Sequence, residues 1–336
     1  MKLFTIFTKI LHYLPSEISH YVALKGLKIL YLTGLLKLLI KPRQYPLIKF
    51  NSLCIKKLKN KVGIAAGLDK NGDYIDCLAA LGVGFIEIGT VTPRPQKGNP
   101  KPRIFRDRKQ KSLINRLGFN NKGVDYLVKK LRNRNSKIII GTSIGKNFDT
   151  PNKNAYKDYI FCLEKVYEFS DYIAVNISSP NTQDLRELSS TEYLHELLKK
   201  LKFKQHQLSL LYGYKPIFIK LSPDETSKNL KIICDSIMNN KLDGIICSNT
   251  TVDHNNKNGV GGLSGSPLKD KSTDSLIAIR SIVGNNLPII ASGGVMSVED
   301  YQEKISAGAD IVQLYTGFIF EGPKLIKDIV NINSHN

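Results

Sequence analysis

YIAVNISSPNT, residues 172–182, begins as an apolar run without polar alternation and ends in serines, asparagines and a proline. The same shape recurs after residue 60, in VGIAAG (62–67), GFIEIGT (84–90), IIIGTSIG (138–145), PIFIKLS (216–222), GIICSNT (244–250), PIIASGG (288–294) and IVQLYTG (311–317). An unalternated apolar run marks a strand covered on both faces, as in a parallel sheet. Helical stretches lie between the runs at 121–133, 155–168, 191–203, 226–238, 271–283 and 298–307, and 323–332 closes the series. Eight strand–helix units in this order predict an α/β fold, a (β/α)8 TIM barrel, with its site at the C-terminal strand ends. An open doubly wound sheet is the alternative, but neither GxGxxG nor GxxxxGK[ST] occurs.

Those strand ends carry Lys70, Glu87, Thr90, Ser143, Asn176, Lys220, Ser248, Asn249 and Thr250. Each would cost roughly 1–3 kcal/mol if buried unpaired. Their recurrence at equivalent positions predicts one shared polar ligand. The glycine-rich stretches 261–265, 292–294 and 315–317 read as loops offering backbone N–H groups to a phosphate. A phosphorylated substrate and a phosphorylated cofactor both remain open at this point.

The composition narrows the classes. The 336 residues are 42% hydrophobic and carry a net charge of +20, with 39 lysines and 10 arginines. The charge reads either as a solvated lysine-rich surface or as attraction to anionic lipid or substrate. Dispersed basic residues without aromatic interleaving argue against nucleic acid. Five scattered cysteines predict no disulfide framework and fit a reducing compartment. The six histidines form no ligand pattern, so no metal site is expected.

Residues 1–40 differ from the rest. MKLFTIFTKILHYL spaces its apolar residues as an amphipathic helix, Pro15-Ser16-Glu17 breaks and restarts it, and YVALKGLKILYLTGLLKLLIK reads as a second helix. Lysines interrupt that second stretch before it reaches the length of a spanning helix. Two such helices either pack on the domain or lie in a membrane surface.

Taken together, GIAAGLDKNG (63–72), EIGTVTPRPQKGNPKPRIFR (87–106), INRLGFNNKG (114–123), NISSPNT (176–182), SNTT (248–251), GGLSG (261–265) and QLYTGFIFEGP (313–323) resemble the dihydroorotate dehydrogenase family, specifically its class 2, quinone-dependent, membrane-associated members. The resemblance covers nearly the whole chain. It implies an FMN-binding barrel over 41–336 and an N-terminal helical hairpin over 1–40 that reaches the membrane and forms a quinone tunnel. The implied reaction is oxidation of (S)-dihydroorotate to orotate in pyrimidine synthesis, with hydride transfer to FMN and reoxidation by ubiquinone or menaquinone. The implied location is peripheral, on the cytoplasmic face of a bacterial inner membrane.

Carried over by position, FMN would meet Ala66, Lys70, Thr90, Ser143, Asn176, Lys220, Ser248, Gly265, Gly294, Tyr315 and Thr316. Substrate would be held by Lys70, Asn115, Arg116, Leu117, Gly118, Phe119, Asn176, Asn181, Asn249 and Thr250. Ser179 matches the family's catalytic base, where soluble class 1 relatives use cysteine. His20 matches a histidine near the tunnel. The sequence departs from the family pattern with Ser143 in place of asparagine, Ser248 where threonine is common, and a short segment 252–260. The competing functions are a soluble class 1-type enzyme, another FMN-barrel oxidoreductase, and a basic membrane-binding scaffold.

Overall fold

The computed structural model describes residues 2–40, 48–50, 55–182, 185–186, 192–256 and 259–332. Cys54, the proposed domain boundary at residue 41, the start of the helix expected from 191, and positions 257–258 of the short segment lie outside the described residues.

All eight expected strands form: Val62–Ile64, Phe85–Val91, Ile139–Ile144, Tyr172–Asn176, Ile217–Leu221, Gly244–Cys247, Ile289–Ser292 and Ile311–Leu314. They close a barrel in which each pairs in parallel with its sequence neighbour. The eighth strand returns to the first with Val312 opposite Val62. Branched side chains on these strands are buried on both faces, outward against the helices and inward against one another.

Seven helices match the expected stretches within a few residues, the largest difference being the fourth-strand helix, Glu192–Tyr212, which runs well past 203. Two details differ from the sequence reading. GGLSG is not a loop: Gly262–Gly265 is a strand that pairs antiparallel with Ser112–Asn115, which in turn pairs with Ile104–Asp107. This small sheet stands outside the barrel ladder. Glycine carries no strand signature, so partner strands from elsewhere in the chain decide the conformation here.

The second N-terminal helix is also interrupted. Lys2–Leu11 and Ser16–Leu32 form as expected, but Gly34 turns the chain at φ 78° before a short helix, Leu35–Leu39. A glycine tolerates that left-handed value without a steric penalty. Leu24, Leu27 and Leu36 are buried in the same apolar cluster as the barrel residues Val62 and Leu314. Arg103 fastens this region to the barrel side through Nε to Glu17 at 3.1 Å, while its Nη1 donates to the carbonyls of Lys97 and Asn99. No described helix is long and apolar enough to cross a membrane.

Candidate active site and adjoining apolar cavity

A polar cavity opens at the C-terminal ends of the barrel strands. Ala66, Lys70, Thr90, Asn115, Leu117, Gly118, Phe119, Asn176, Ser179, Asn181, Lys220, Ser248, Asn249, Thr250, Gly265, Gly294, Tyr315 and Thr316 all line it. Three of the expected residues do not: Glu87 sits fully buried within the second strand, outside the cavity lining, and Ser143 and Arg116 also fall outside it. Ser143 is fully buried behind Thr90, with the two hydroxyl oxygens 2.9 Å apart. Arg116 faces a neighbouring recess beside His254 and packs over the Phe105 ring, 4.9 Å from its centroid.

The fourth strand explains the composition of YIAVNISSPNT. Tyr172–Val175 are wholly buried in the barrel, and the polar residues begin where the strand reaches the cavity. Asn176 donates from Nδ2 to Thr90 Oγ1 at 3.1 Å and accepts from Asn249 Nδ2 at 3.3 Å. Asn249 also donates to Ser178 Oγ at 3.1 Å, so Ser178 belongs to a hydrogen-bonded wall. Ser179, by contrast, lines the cavity, and its Oγ accepts from the Asn181 N–H at 3.4 Å. Asn181 donates from its side chain to Asn115 Oδ1 at 3.0 Å, joining the serine loop to the small antiparallel sheet.

Two lysines supply positive charge. Lys70 Nζ donates to the Gly67 carbonyl at 2.7 Å. Burial, aided by the positive charge of Arg103, pulls the Lys70 pKa down to about 8. The loop beside it is pinned by Asp69, whose carboxylate accepts from the N–H groups of Asn71, Asp73 and Tyr74. Lys220 points into the cavity from the fifth strand, with Glu87 4.0 Å away as its ionic partner.

Gln313 also lines this cavity and was not singled out from sequence. Its Nε2 donates to Glu87 Oε2 at 2.6 Å, while its buried Oε1 has no hydrogen-bond partner. A glutamine in the middle of an apolar strand was the available signal, but its glutamate partner lies 226 residues away.

A second cavity, of about 480 Å³, lies between the N-terminal helices and the barrel. Its wall is mostly apolar, including Phe4, Phe7, Leu24, Leu27 and Leu30, with His20 on one side. Burial and the nearby Lys70 charge depress the His20 pKa to about 3, so its imidazole is neutral at physiological pH. Tyr315 lines both cavities. Its ring packs so closely on Gly67 that a Cβ there would lie 3.1 Å from it. Among the described residues, no group of three His, Cys, Asp or Glu side chains could hold a metal ion.

The dihydroorotate dehydrogenase family profile matches residues 50–334. A dihydroorotate dehydrogenase (quinone) from Aliivibrio salmonicida is 47% identical over 330 residues, covering 95% of this chain and 96% of that protein. One from Buchnera aphidicola subsp. Schizaphis graminum is 46% identical, with 96% and 97% covered. The structure of ligand-free DHODH from Eimeria tenella superposes with a TM-score of 0.80 at 33% identity, covering 92% of each chain. The ferulenol complex from the same organism gives 0.79 at 32% identity, covering 94% of this chain and 88% of that one. With the family profile spanning the barrel and nearly half of all positions shared with quinone-type members along almost the full length, the chain belongs to the quinone-dependent class of the dihydroorotate dehydrogenase family.

Proposed function

We propose that the polar cavity oxidises dihydroorotate to orotate with FMN, and that the adjoining apolar cavity admits the membrane quinone that takes up the electrons. The observation that carries this reading is the adjacency of two cavities of opposite character, sharing Tyr315 as a wall. Family membership supports the reaction and the cofactor.

The residues present fit FMN. Lys220 brings a buried ammonium to the cavity, and the unpartnered oxygens of Gln313 and Thr250 leave hydrogen-bonding capacity for a ring that both donates and accepts. Gly265 and Gly294 add no side chain to the lining, so the backbone there, with Tyr315 and Thr316, suits a phosphate. The chemistry FMN supplies when bound is two-electron acceptance.

The chain's own groups do the rest. Lys70 offers a point charge to the substrate carboxylate. Asn115, Asn176, Asn181 and Asn249 present amides to the substrate ring, which carries both donors and acceptors. Ser179 takes the proton from C5 of dihydroorotate. A serine is a weak base at its ordinary pKa, so placement matters most: Pro180 fixes the turn beside it, and only 6% of the residue is exposed. Ser143, where the family pattern has an asparagine, supports Thr90 from behind through a hydroxyl-to-hydroxyl contact.

The N-terminal helices supply the membrane contact. More than half of the exposed large apolar side chains among the described residues lie within the first 38 positions, including Ile6, Phe7, Ile10, Tyr13, Leu32 and Leu38. Such a face suits the interfacial region of a bilayer, here on its cytoplasmic side. Residues 1–40 thus act as the membrane and quinone module of the 41–336 barrel.

Anaerobic addition of dihydroorotate to the FMN-loaded protein, followed by a short-chain quinone, tests both halves. The flavin absorbance should bleach with the first addition and return with the second. Absence of bleaching would overturn the polar-cavity reading; bleaching without return would overturn the apolar-cavity reading.

A further inference from the structure

Glu87 is a fully buried carboxylate inside the barrel, on the same strand face as Phe85. Its Oε2 accepts from Tyr172 Oη at 3.0 Å and from Gln313 Nε2 at 2.6 Å. Its Oε1 has no hydrogen-bond partner and faces Lys220 Nζ at 4.0 Å. A glutamine could accept the same two hydrogen bonds through one amide oxygen. What a carboxylate adds is charge, and a buried charge is costly unless a partner compensates it. The residue positioned to receive that charge is Lys220.

We propose that Glu87 is a positioning residue for the redox step: held by Tyr172 and Gln313, its carboxylate keeps Lys220 charged at the cofactor end of the barrel and thereby sets the reduction potential of the bound flavin. The proposal rests on the reading above that Lys220 borders the flavin. Burial pulls Lys220 toward its neutral form and Glu87 opposes this. A cation beside the flavin favours the electron-rich reduced state, so loss of that charge lowers the potential. The titratable groups facing this pair are Glu87 from the second strand, Lys220 from the fifth and Tyr172 from the fourth. Burial and the Glu87 charge push the Tyr172 hydroxyl well up, so it remains a donor. Gln313, from the eighth strand, does not titrate.

The test is a spectroelectrochemical titration of the full-length, FMN-loaded protein from pH 6 to 9. Glu87→Gln should match or exceed the wild-type potential at the low-pH end of the titration, where protonation of Lys220 is most favoured in both proteins. Its potential should then fall away more steeply. By pH 9 the oxidised-to-reduced ratio should rise at least tenfold at fixed potential, about 30 mV for a two-electron couple. Combining Glu87→Gln with Gln313→Glu keeps the hydrogen bond and restores a carboxylate, and should recover most of the loss. Lys220→Met should be low throughout and insensitive to Glu87→Gln.

A Glu87→Gln profile within twofold of wild type at every pH, while Lys220→Met is altered, would reduce Glu87 to a core hydrogen-bonding residue. A normal potential in Lys220→Met would instead overturn the placement of Lys220 beside the flavin. If Glu87→Gln does not fold, wild type and Lys220→Met suffice. Equal pH slopes support a permanently charged Lys220, and an extra titration step in wild type alone overturns the proposal.

Discussion

Ser179 and Ser178 are neighbours with different surroundings. Ser178 is engaged by Asn249, whereas Ser179 opens onto the cavity. Periodicity cannot separate adjacent serines, because both follow the same strand and have the same chemistry; the family resemblance points to Ser179, which lines the cavity. Ser179→Ala should slow anaerobic flavin reduction by dihydroorotate at least about 100-fold, the lower range for loss of a general base, with FMN absorbance retained. Near-normal reduction would place the base elsewhere. Lys70 makes a second prediction. With a pKa near 8 it is charged below that value and neutral above it, so capture of the anionic substrate weakens as pH rises through 8. In pH profiles, kcat/KM for dihydroorotate should fall about tenfold per unit above that point, and Lys70→Arg should carry the plateau to higher pH. A profile unchanged by Lys70→Arg would assign the descending limb to another group.

Among the elements, the barrel strands were legible because burial on both faces leaves an unbroken apolar run. The antiparallel sheet was not legible, since Gly262–Gly265 gains its strand conformation from Ser112–Asn115, roughly 150 positions earlier in the chain. Loops between elements are coupled in ways equally hidden from local pattern. Asp224, following the fifth strand, accepts from Arg186 in the loop after the fourth strand at 2.7 Å, from the Val252 N–H after the sixth at 2.9 Å, and from the Thr251 hydroxyl, and pairs with Lys271 of the Lys269–Val283 helix at 2.8 Å. Arg186 in turn donates to the carbonyls of Ser178 and Thr250, two segments that border the polar cavity.

Burial alone would raise the Asp224 pKa, but the hydrogen bonds from Lys271, Thr251, Val252 and Arg186 outweigh it and hold the carboxyl at about 2. A carboxyl depressed on folding stabilises the native state above its unfolded value near 4 and loses that contribution as pH falls toward 2. Asp224→Asn should therefore lower the thermal midpoint at pH 7, with the gap to wild type closing as the pH is lowered from 4 toward 2. A gap constant across that window would assign the loss to packing rather than to charge.

At the scale of the whole molecule, the composition announced a basic protein and the first 40 residues announced amphipathic helices, but neither stated what the helices enclose. Their inner face bounds the apolar cavity, their outer face carries exposed Ile6, Tyr13, Leu32 and Leu38, and the hairpin is joined to the barrel by buried leucines and by Arg103. Those contacts connect residues up to 307 positions apart, as in the His12 Nε2 contact with the Ile319 carbonyl at 3.1 Å, which no local window can reveal.

Tyr315 is a wall common to both cavities, so the proposed function puts the protein at a junction between two solvents. Dihydroorotate is drawn from water and its supply follows molar concentration. On the proposed function, quinone would be drawn from hydrocarbon and its supply would follow mole fraction in the lipid. Diluting a quinone-bearing vesicle suspension with inert lipid, at fixed total quinone, should therefore slow reoxidation in proportion while leaving flavin reduction by dihydroorotate untouched. Equal slowing of both steps would mean that the two reactants arrive from one phase. On the proposed function a cell could throttle either half of the cycle separately, by changing what is dissolved in its water or what is dissolved in its membrane.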